Sequence, residues 1–496
     1  MNKEDNYKYD RQIRLWGVDG QKLIDSTSLV VFGSSVLATE FLKSMTLHAV
    51  HKIYIIDDAK VEPRDTLENF FVEPDTIGED RAVVTAKLLQ EINSDPEFEP
   101  IIRSPTDYSI LNDAKFDSSC FVITYGTIKP SQMKELSEIV RRKHMRQAHI
   151  SCTGFYGGIY LDCGSHFSFE GVSIIQIQDW HLVHPLPGLL KFIEDSKYDS
   201  LSAGQKSHYP WIVKGLVAKD HLIKRMKELE ETTGQAPVIN ASTLREQLLK
   251  YEIDRSVDNK EAQFFRETVY TNLNNTIRQS EKMPDTDFWK CVRAIKKFRE
   301  ETGDYPVTGS IPDLECSNEV FLAIKKIYKE KHLEDVKKMK EYLPDVDESF
   351  VSSFVRHFPK CTGHEYKPLS EVLQKVSPKR GNFASEYVEV CFIAAREFAE
   401  KENRPPKVGD ESSVYELAKK YLPTGHNLDS DTELKNTVWE YVRFNDECIP
   451  SVASTIGAFT AQEVTKAIIR KETPIRYPAI FDFIRNVCSP NGTYIE

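Results

Sequence analysis

The chain has 496 residues, a length that suits about three folding units. Hydrophobic residues make up 40% and charged residues 28%, which supports more than one core and argues against a disordered or collagen-like chain. Lys plus Arg number 65 against 76 Asp plus Glu, a net charge of −11. That balance argues against a dedicated nucleic-acid binder, whose phosphate contacts need concentrated positive charge. The run Arg141-Arg142-Lys143-His144 reads as a solvated helix face. No apolar run reaches the roughly 20 residues that cross a bilayer, and residues 1–9 lack the apolar stretch of a signal peptide. The nine cysteines are scattered, odd in number and without a Cys-x-x-Cys pair. They are expected to be reduced thiols that hold no zinc. The expectation is a soluble chain of the cytoplasm or nucleus, with no metal, no nucleic acid and no membrane partner.

The first third alternates strand and helix signals. The apolar run Ser28-Leu-Val-Val-Phe-Gly33 predicts a buried parallel strand, and residues 39–48 predict a helix bearing Phe41, Leu42, Met45 and Leu47. Lys52-Ile-Tyr-Ile-Ile-Asp57 is a second buried strand, 80–92 a second helix, 121–125 a third strand and 129–144 a third helix. This order predicts a doubly wound α/β domain whose ligand crevice lies at the carboxyl ends of the strands. A β-rich stretch at 149–178, with Gly154, Gly157 and Gly158, closes the sheet.

From about Pro185 the chain turns rich in Lys and Glu, with apolar residues at helical spacing: Phe288, Val292, Ile295 and Phe298, then Val320, Ile324 and Ile327. Thr233-Gly234-Gln-Ala-Pro237-Val238 and Thr302-Gly303-Asp-Tyr-Pro306-Val307 repeat one helix-stop signal, echoed by Asn403-Arg-Pro-Pro406. Gly or Asn turns left-handed after a helix, and the following Pro prevents it from resuming. Residues 1–180 are therefore assigned to the α/β domain, 181–440 to an all-helical insertion and 441–496 to a return. The return comprises a serine-capped helix over 454–470 and a strand over 476–483, with Gly457, Ala458 and Ala461 allowing close backbone approach.

Gly33-Ser-Ser35-Val-Leu-Ala38 stands where a phosphate-cradling G-x-G-x-x-G lies in dinucleotide-binding folds, but Ser35 replaces the glycine that lets backbone approach the phosphates. Asp57 takes the place of an acidic ribose partner. A working nucleotide site and a βαβ unit without one are both open; the missing glycine favours the second.

Tyr9-Asp-Arg-Gln-Ile-Arg-Leu-Trp-Gly17 is more specific. Arg11 and Arg14 share a helix face, and Asp10 sits four residues before Arg14. With the βαβ unit that follows and the Ala458-Phe-Thr-Ala-Gln-Glu-Val464 segment, the chain resembles the adenylation domains of the activating enzymes for ubiquitin-like proteins. The long insertion, His208-Tyr-Pro-Trp-Ile212, Arg293-Ala-Ile-Lys-Lys-Phe298 and Pro306-Val-Thr-Gly-Ser-Ile-Pro-Asp313 resemble the regulatory subunits of the neddylation pathway; the shorter sumoylation-type subunit is the alternative.

The resemblance implies a Rossmann-like pseudo-adenylation domain that does not bind nucleotide. Thr66-Leu-Glu-Asn-Phe70-Phe71 matches the family's Asn-Leu-x-Arg-Gln-Phe, so Glu68 stands where a cation should face phosphate, and Ile123-Thr-Tyr-Gly-Thr127 lacks the family's magnesium-binding Asp. It further implies an obligate heterodimer in which a catalytic subunit binds ATP and magnesium, adenylates the modifier and takes the thioester, while Arg11 reaches across to the β/γ-phosphates. Phe358-Pro-Lys-Cys361-Thr362 resembles the surroundings of the thioester cysteine in catalytic subunits, with His357 and His364 nearby, so a self-sufficient enzyme using Cys361 is a second reading. A dinucleotide-dependent oxidoreductase is a third, disfavoured by Ser35. Residues 311–328 match a partner-facing part of the regulatory subunit. Leu314, Phe321, Ile324 and Ile327 therefore form either an interface stripe or part of the helical interior.

Overall fold

The computed structural model describes residues 8–69, 72–169, 181, 184–233, 271–311, 314–376, 383–422, 432–444 and 446–490. Two compact units divide the chain: 1–166 with 364–496, and 167–363.

The first unit opens with α1 (Asp10–Asp25), kinked at Gly17, followed by β1 (Ser28–Phe32), α2 (Val36–Leu47), β2 (Lys52–Ile56), α3 (Arg81–Ile92) and β3 (Glu97–Ile101). Then come β4 (Cys120–Tyr125), α4 (Pro130–Arg142), β5 (Arg146–Thr153) and β6 (Tyr156–Asp162). The chain leaves along β7 (Ser165–Ser168). The second unit carries α5 (Pro187–Ser196), α6 (Trp211–Thr233), α7 (Thr271–Ser280), α8 (Asp287–Thr302), α9 (Asn318–Tyr342) and α10 (Glu348–His357). The return runs along β8 (Thr362–Glu365), paired with β7, into α11 (Phe383–Glu402), α12 (Glu411–Ala418), α13 (Thr432–Val442), α14 (Pro450–Ile469), β9 (Ala479–Asp482) and β10 (Val487–Pro490).

Eight strands form one sheet in the order β10-β9-β6-β5-β4-β1-β2-β3. The pairs from β3 to β5 are parallel and those from β5 to β10 antiparallel. Alternate residues of the apolar strands serve opposite faces. Leu29, Val31, Ile53 and Ile55 join Phe41, Leu42, Val464 and Ala467 under α2, α3 and α14. Val30, Phe32, Tyr54 and Val122 join Met133, Val388, Phe392 and Val438 under α4, α11 and α13. Burial on both faces explains why these strands read as continuous apolar runs.

This double cover also moves the boundary read from sequence. Residues 181–440 were assigned to the insertion, yet the chain rejoins the sheet-bearing unit at His364. The cause is packing: α11 to α13 supply the apolar lid for one face of the sheet. A second difference is β3, an edge strand holding Pro100, where a missing donor is tolerated. The stop signals hold where described: Gly303 ends α8 at φ +79° and Asn403 follows α11 at φ +57°. Gly234 and the 170–178 part of the expected β stretch lie outside the described residues.

In the second unit, one cluster gathers Trp289, Ile295, Met339, Phe354 and Cys361, and another gathers Leu189, Ile212, Ile324 and Tyr328. Leu314 and Ile327 pack against the latter, and Ile324 is fully buried. Of the four residues of the expected stripe, Ile324 thus lies in the chain's own interior, Leu314 and Ile327 are partly buried against it, and Phe321 stands outside that cluster, half-buried beneath Lys325.

α14 lies close on α2 at Gly457, where a Cβ would sit 2.9 Å from the Phe41 backbone nitrogen. Backbone cannot yield as a flexible side chain would. Gly457→Val is expected to destabilise the chain by about 1–3 kcal/mol, read as a lower urea midpoint, whereas Ser454→Ala on the same helix should leave it nearly unchanged.

Candidate functional site

The strand order reverses between β1 and β4, and a cleft of about 390 Å³ opens at their carboxyl ends, the position expected of a ligand crevice in such sheets. Gly33 ends β1 at φ +103°, and Ser35 starts α2 in extended conformation without capping it through its side chain. The turn thus keeps the path of a phosphate loop while Ser35 occupies the position that needs glycine.

Asp57 is not turned toward a ligand. It is 1% exposed, and its carboxylate accepts from Ser34 N at 2.9 Å, Ser34 Oγ at 2.5 Å and Ala59 N at 3.0 Å. Arg81 donates to the same carboxylate from Nε at 3.1 Å and Nη2 at 2.9 Å, and reaches Asp65 at 3.2 Å. A ribose hydroxyl would have to displace these partners.

Among the described residues lining the cleft, Glu62, Asp65, Glu68, Asp446 and Glu447 face only Arg64 and Arg81. Both arginines are engaged: Arg64 bonds Glu68 at 2.9 Å and pairs with Glu447. Glu68 stands in the cleft and takes up charge that a phosphate would need, but aligned position by position it is the neutral Asn69, also lining the cleft, that replaces the motif's Arg, while Glu68 takes its variable position. Phe70 and Phe71 of that motif lie outside the described residues.

Asp446 and Glu447 were not anticipated, because they lie about 300 residues beyond the strands they meet and carry no local motif. Asp446 adopts φ +65°, a left-handed conformation that Asp tolerates. Its carboxylate accepts from Thr127 Oγ1 at 2.6 Å, Thr127 N at 3.3 Å and Thr153 Oγ1 at 3.4 Å. Burial, only partly offset by these donors, pushes its carboxyl up to about 6. Behind the cleft a polar chain runs from Thr124 through the buried His149 (3.0 Å) and Ser151 (3.3 Å) to Arg396 on α11 (2.8 Å). Burial and Arg396 hold His149 neutral.

The cysteines depart from the expectation of nine reduced thiols. Cys152 on β5 and Cys448, ahead of α14, form a disulfide, and both line the cleft. Residues 296 apart in sequence give no spacing signal. Cys361 is 1% exposed within an apolar cluster. Burial and the Cys291 thiol push its pKa up, and neither His357 nor His364 is among the groups acting on it. His357 Nδ1 is bound to the Ser353 carbonyl at 2.8 Å. A thioester nucleophile needs the opposite setting.

Arg11 stands on a well-anchored helix. Tyr9 donates to Asp95, Gln12 Nε2 donates to the Leu47 carbonyl at 2.9 Å, and Lys471 Nζ donates to the Leu15 carbonyl at 2.7 Å. Arg14 is taken by Asp10 at 2.9 Å, whereas Arg11 is exposed with no ion pair or hydrogen bond among the described residues.

Residues 9–124 match the ThiF family model. The NEDD8-activating enzyme E1 regulatory subunit of Gallus gallus is 28% identical over 66% of this chain and 64% of its own length. Two Arabidopsis thaliana regulatory subunits align almost end to end: AXL at 25% identity over 97% of this chain and 98% of its own, and AXR1 at 24% over 97% and 95%. The chain is a homologue of these regulatory subunits. The aligned part spans less than two thirds of the animal relative and nearly all of the plant ones, so the alignment with the latter includes the residues of the second unit.

The raised Asp446 carboxyl has a defined pH signature. Between the ordinary value of 3.8 and about 6 the folded chain keeps a proton that the unfolded chain has released, so this group's contribution to stability falls as pH rises through that window. Asp446→Asn is expected to remove this component. Urea unfolding at pH 4.5 and 6.5 should show a smaller stability loss across the interval for the variant than for wild type; equal losses would contradict the assignment.

Proposed function

We propose that this chain is the regulatory, non-nucleotide-binding subunit of a heterodimeric activating enzyme of the neddylation pathway. The observation that carries the reading is the charge of the cleft: carboxylates occupy a crevice whose geometry otherwise suits nucleotide. A triphosphate placed there would meet Glu68, Asp446 and Glu447, with both arginines already neutralised. Repulsion of that kind leaves no stabilisation for a leaving pyrophosphate. The residues do not fit ATP and magnesium, which the proposal assigns to a catalytic partner.

The contribution of this chain is then positional. In the proposed assembly the modifier's C-terminal carboxylate attacks the ATP α-phosphate on the partner, and the acyl-adenylate passes to the partner's cysteine. Arg11 is the group this chain extends to the β/γ-phosphates. A guanidinium suits the task because it stays charged and presents a rigid fork of donors. Support comes from its exposure and from the anchoring of α1 through Gln12, Leu15 and Tyr9. The buried Cys361 favours this reading over a self-sufficient enzyme.

The isolated chain is expected to give no heat on titration with ATP and magnesium, while an equimolar mixture with the catalytic subunit forms adenylate. Arg11→Ala should slow single-turnover adenylate formation by about 10³-fold with the heterodimer still eluting intact, and Arg11→Lys should restore only part of the rate. Unchanged kinetics in Arg11→Ala would remove the residue from the mechanism. Cys361→Ser should leave thioester formation by the complex unaltered.

A further inference from the structure

Asp446, Glu447 and Cys448 line the cleft and lead into α14. Polar contacts to four residues hold this turn: Asp446 on Thr127 and Thr153, Glu447 on Arg64, and the Glu447 carbonyl accepting from Gly154 N at 2.7 Å. Phe444 fills the space beside Gly154, where a Cβ would lie 2.2 Å from its ring. One bond is covalent, the Cys152–Cys448 disulfide. Arg64 and Glu447 are both more than two-fifths exposed, so water competes for that pair and it holds the turn weakly. The cross-link joins the end of β5 to the residue two before Pro450, the first residue of α14.

We propose that the Cys152–Cys448 disulfide is a redox latch that holds the Asp446–Glu447 turn, with its two carboxylates, against the cleft at the strand ends. Cys152 is 3% exposed while Cys448 is half-buried and lines the cleft, so an incoming thiolate reaches Cys448 Sγ first. Attack by a small dithiol forms a mixed disulfide on Cys448 and expels the Cys152 thiolate, which takes up a proton. The second thiol of the reductant then closes its own disulfide and releases Cys448. Two electrons and two protons pass to the protein, and the dithiol is oxidised. Once released, the turn can withdraw its two carboxylates, leaving the Thr127 amide and Thr153 hydroxyl without their acceptor. The same release loosens the start of α14, whose far end leads to Lys471 and its bond to α1 at Leu15. The inference concerns the turn itself and does not depend on the function proposed above.

The test uses the full chain purified in air. Alkylation after denaturation should modify seven cysteines without reductant and all nine after dithiothreitol, the difference being Cys152 and Cys448. Hydrogen exchange of the native protein should then show amides at 446–449 exchanging about tenfold or more faster after reduction, with β1 and β4 unchanged. Cys448→Ser should show the fast pattern with or without dithiothreitol. Nine reactive cysteines before reduction would overturn the proposal, as would equal protection of the turn in both states. Faster exchange throughout β1 and β4 on reduction of wild type would also overturn it, marking the bond as a general staple of the unit.

Discussion

The Asp57 carboxylate governs the geometry of the cleft. It gathers the end of β2, the turn after β1 through Ser34 and the start of α3 through Arg81. A charge this deeply buried is tolerated only when fully paired, and removing one partner from such a pair typically costs about 3–5 kcal/mol. The consequence is that the phosphate-loop path survives as architecture. The glycine turn keeps its left-handed conformation, and α2 starts directly after it, beside a carboxylate that Ser34 and Arg81 hold inward.

That separation of shape from chemistry accounts for the electrostatics. Once Asp57 is committed to Ser34 and Arg81, and Arg64 to Glu68 and Glu447, no described cation in the cleft is left for an external anion. Arg11 lies under the opposite regime. Its helix is tied down by contacts from its neighbours along α1, while its own guanidinium is left free. Among the described residues Arg11 is thus an unpaired cation on the outer helix while the arginines of the crevice are paired, which is the contrast on which the role proposed for Arg11 rests.

Much of this was legible because burial on two faces writes itself into the chain. The runs at Ser28–Phe32, Lys52–Ile56 and Cys120–Tyr125 could be assigned as parallel strands, and Gly457 as a point of close approach, from residue type alone. Glu97–Ile101 was illegible since an edge strand needs neither continuous hydrophobicity nor the absence of proline. The insertion's end was misplaced for a related reason: a helix covering a sheet shows the same apolar spacing as one inside a bundle. Motif likeness also overstates reactivity. The Phe358-Pro-Lys-Cys361-Thr362 segment carries a nucleophile's neighbours, yet its thiol sits among Trp289, Phe354 and Phe358, where ionisation is disfavoured.

Asp446, Glu447 and Cys448 show why the rest of the site could not be read. A sheet buried on both faces requires helices from a distant part of the chain, here α11 to α14, and the connections between them must cross the sheet's rim. The turn between α13 and α14 crosses at the carboxyl ends, where Gly154 at the end of β5 leaves room for Phe444 and an amide for Glu447. Its acidic side chains thereby meet Thr127, Thr153 and Arg64. The cleft is lined in part by segments that topology delivers to it, beside the residues of the phosphate-loop remnant. The charge of such a cleft therefore need not be set by the nucleotide motif alone: the return path of the chain can supply carboxylates directly.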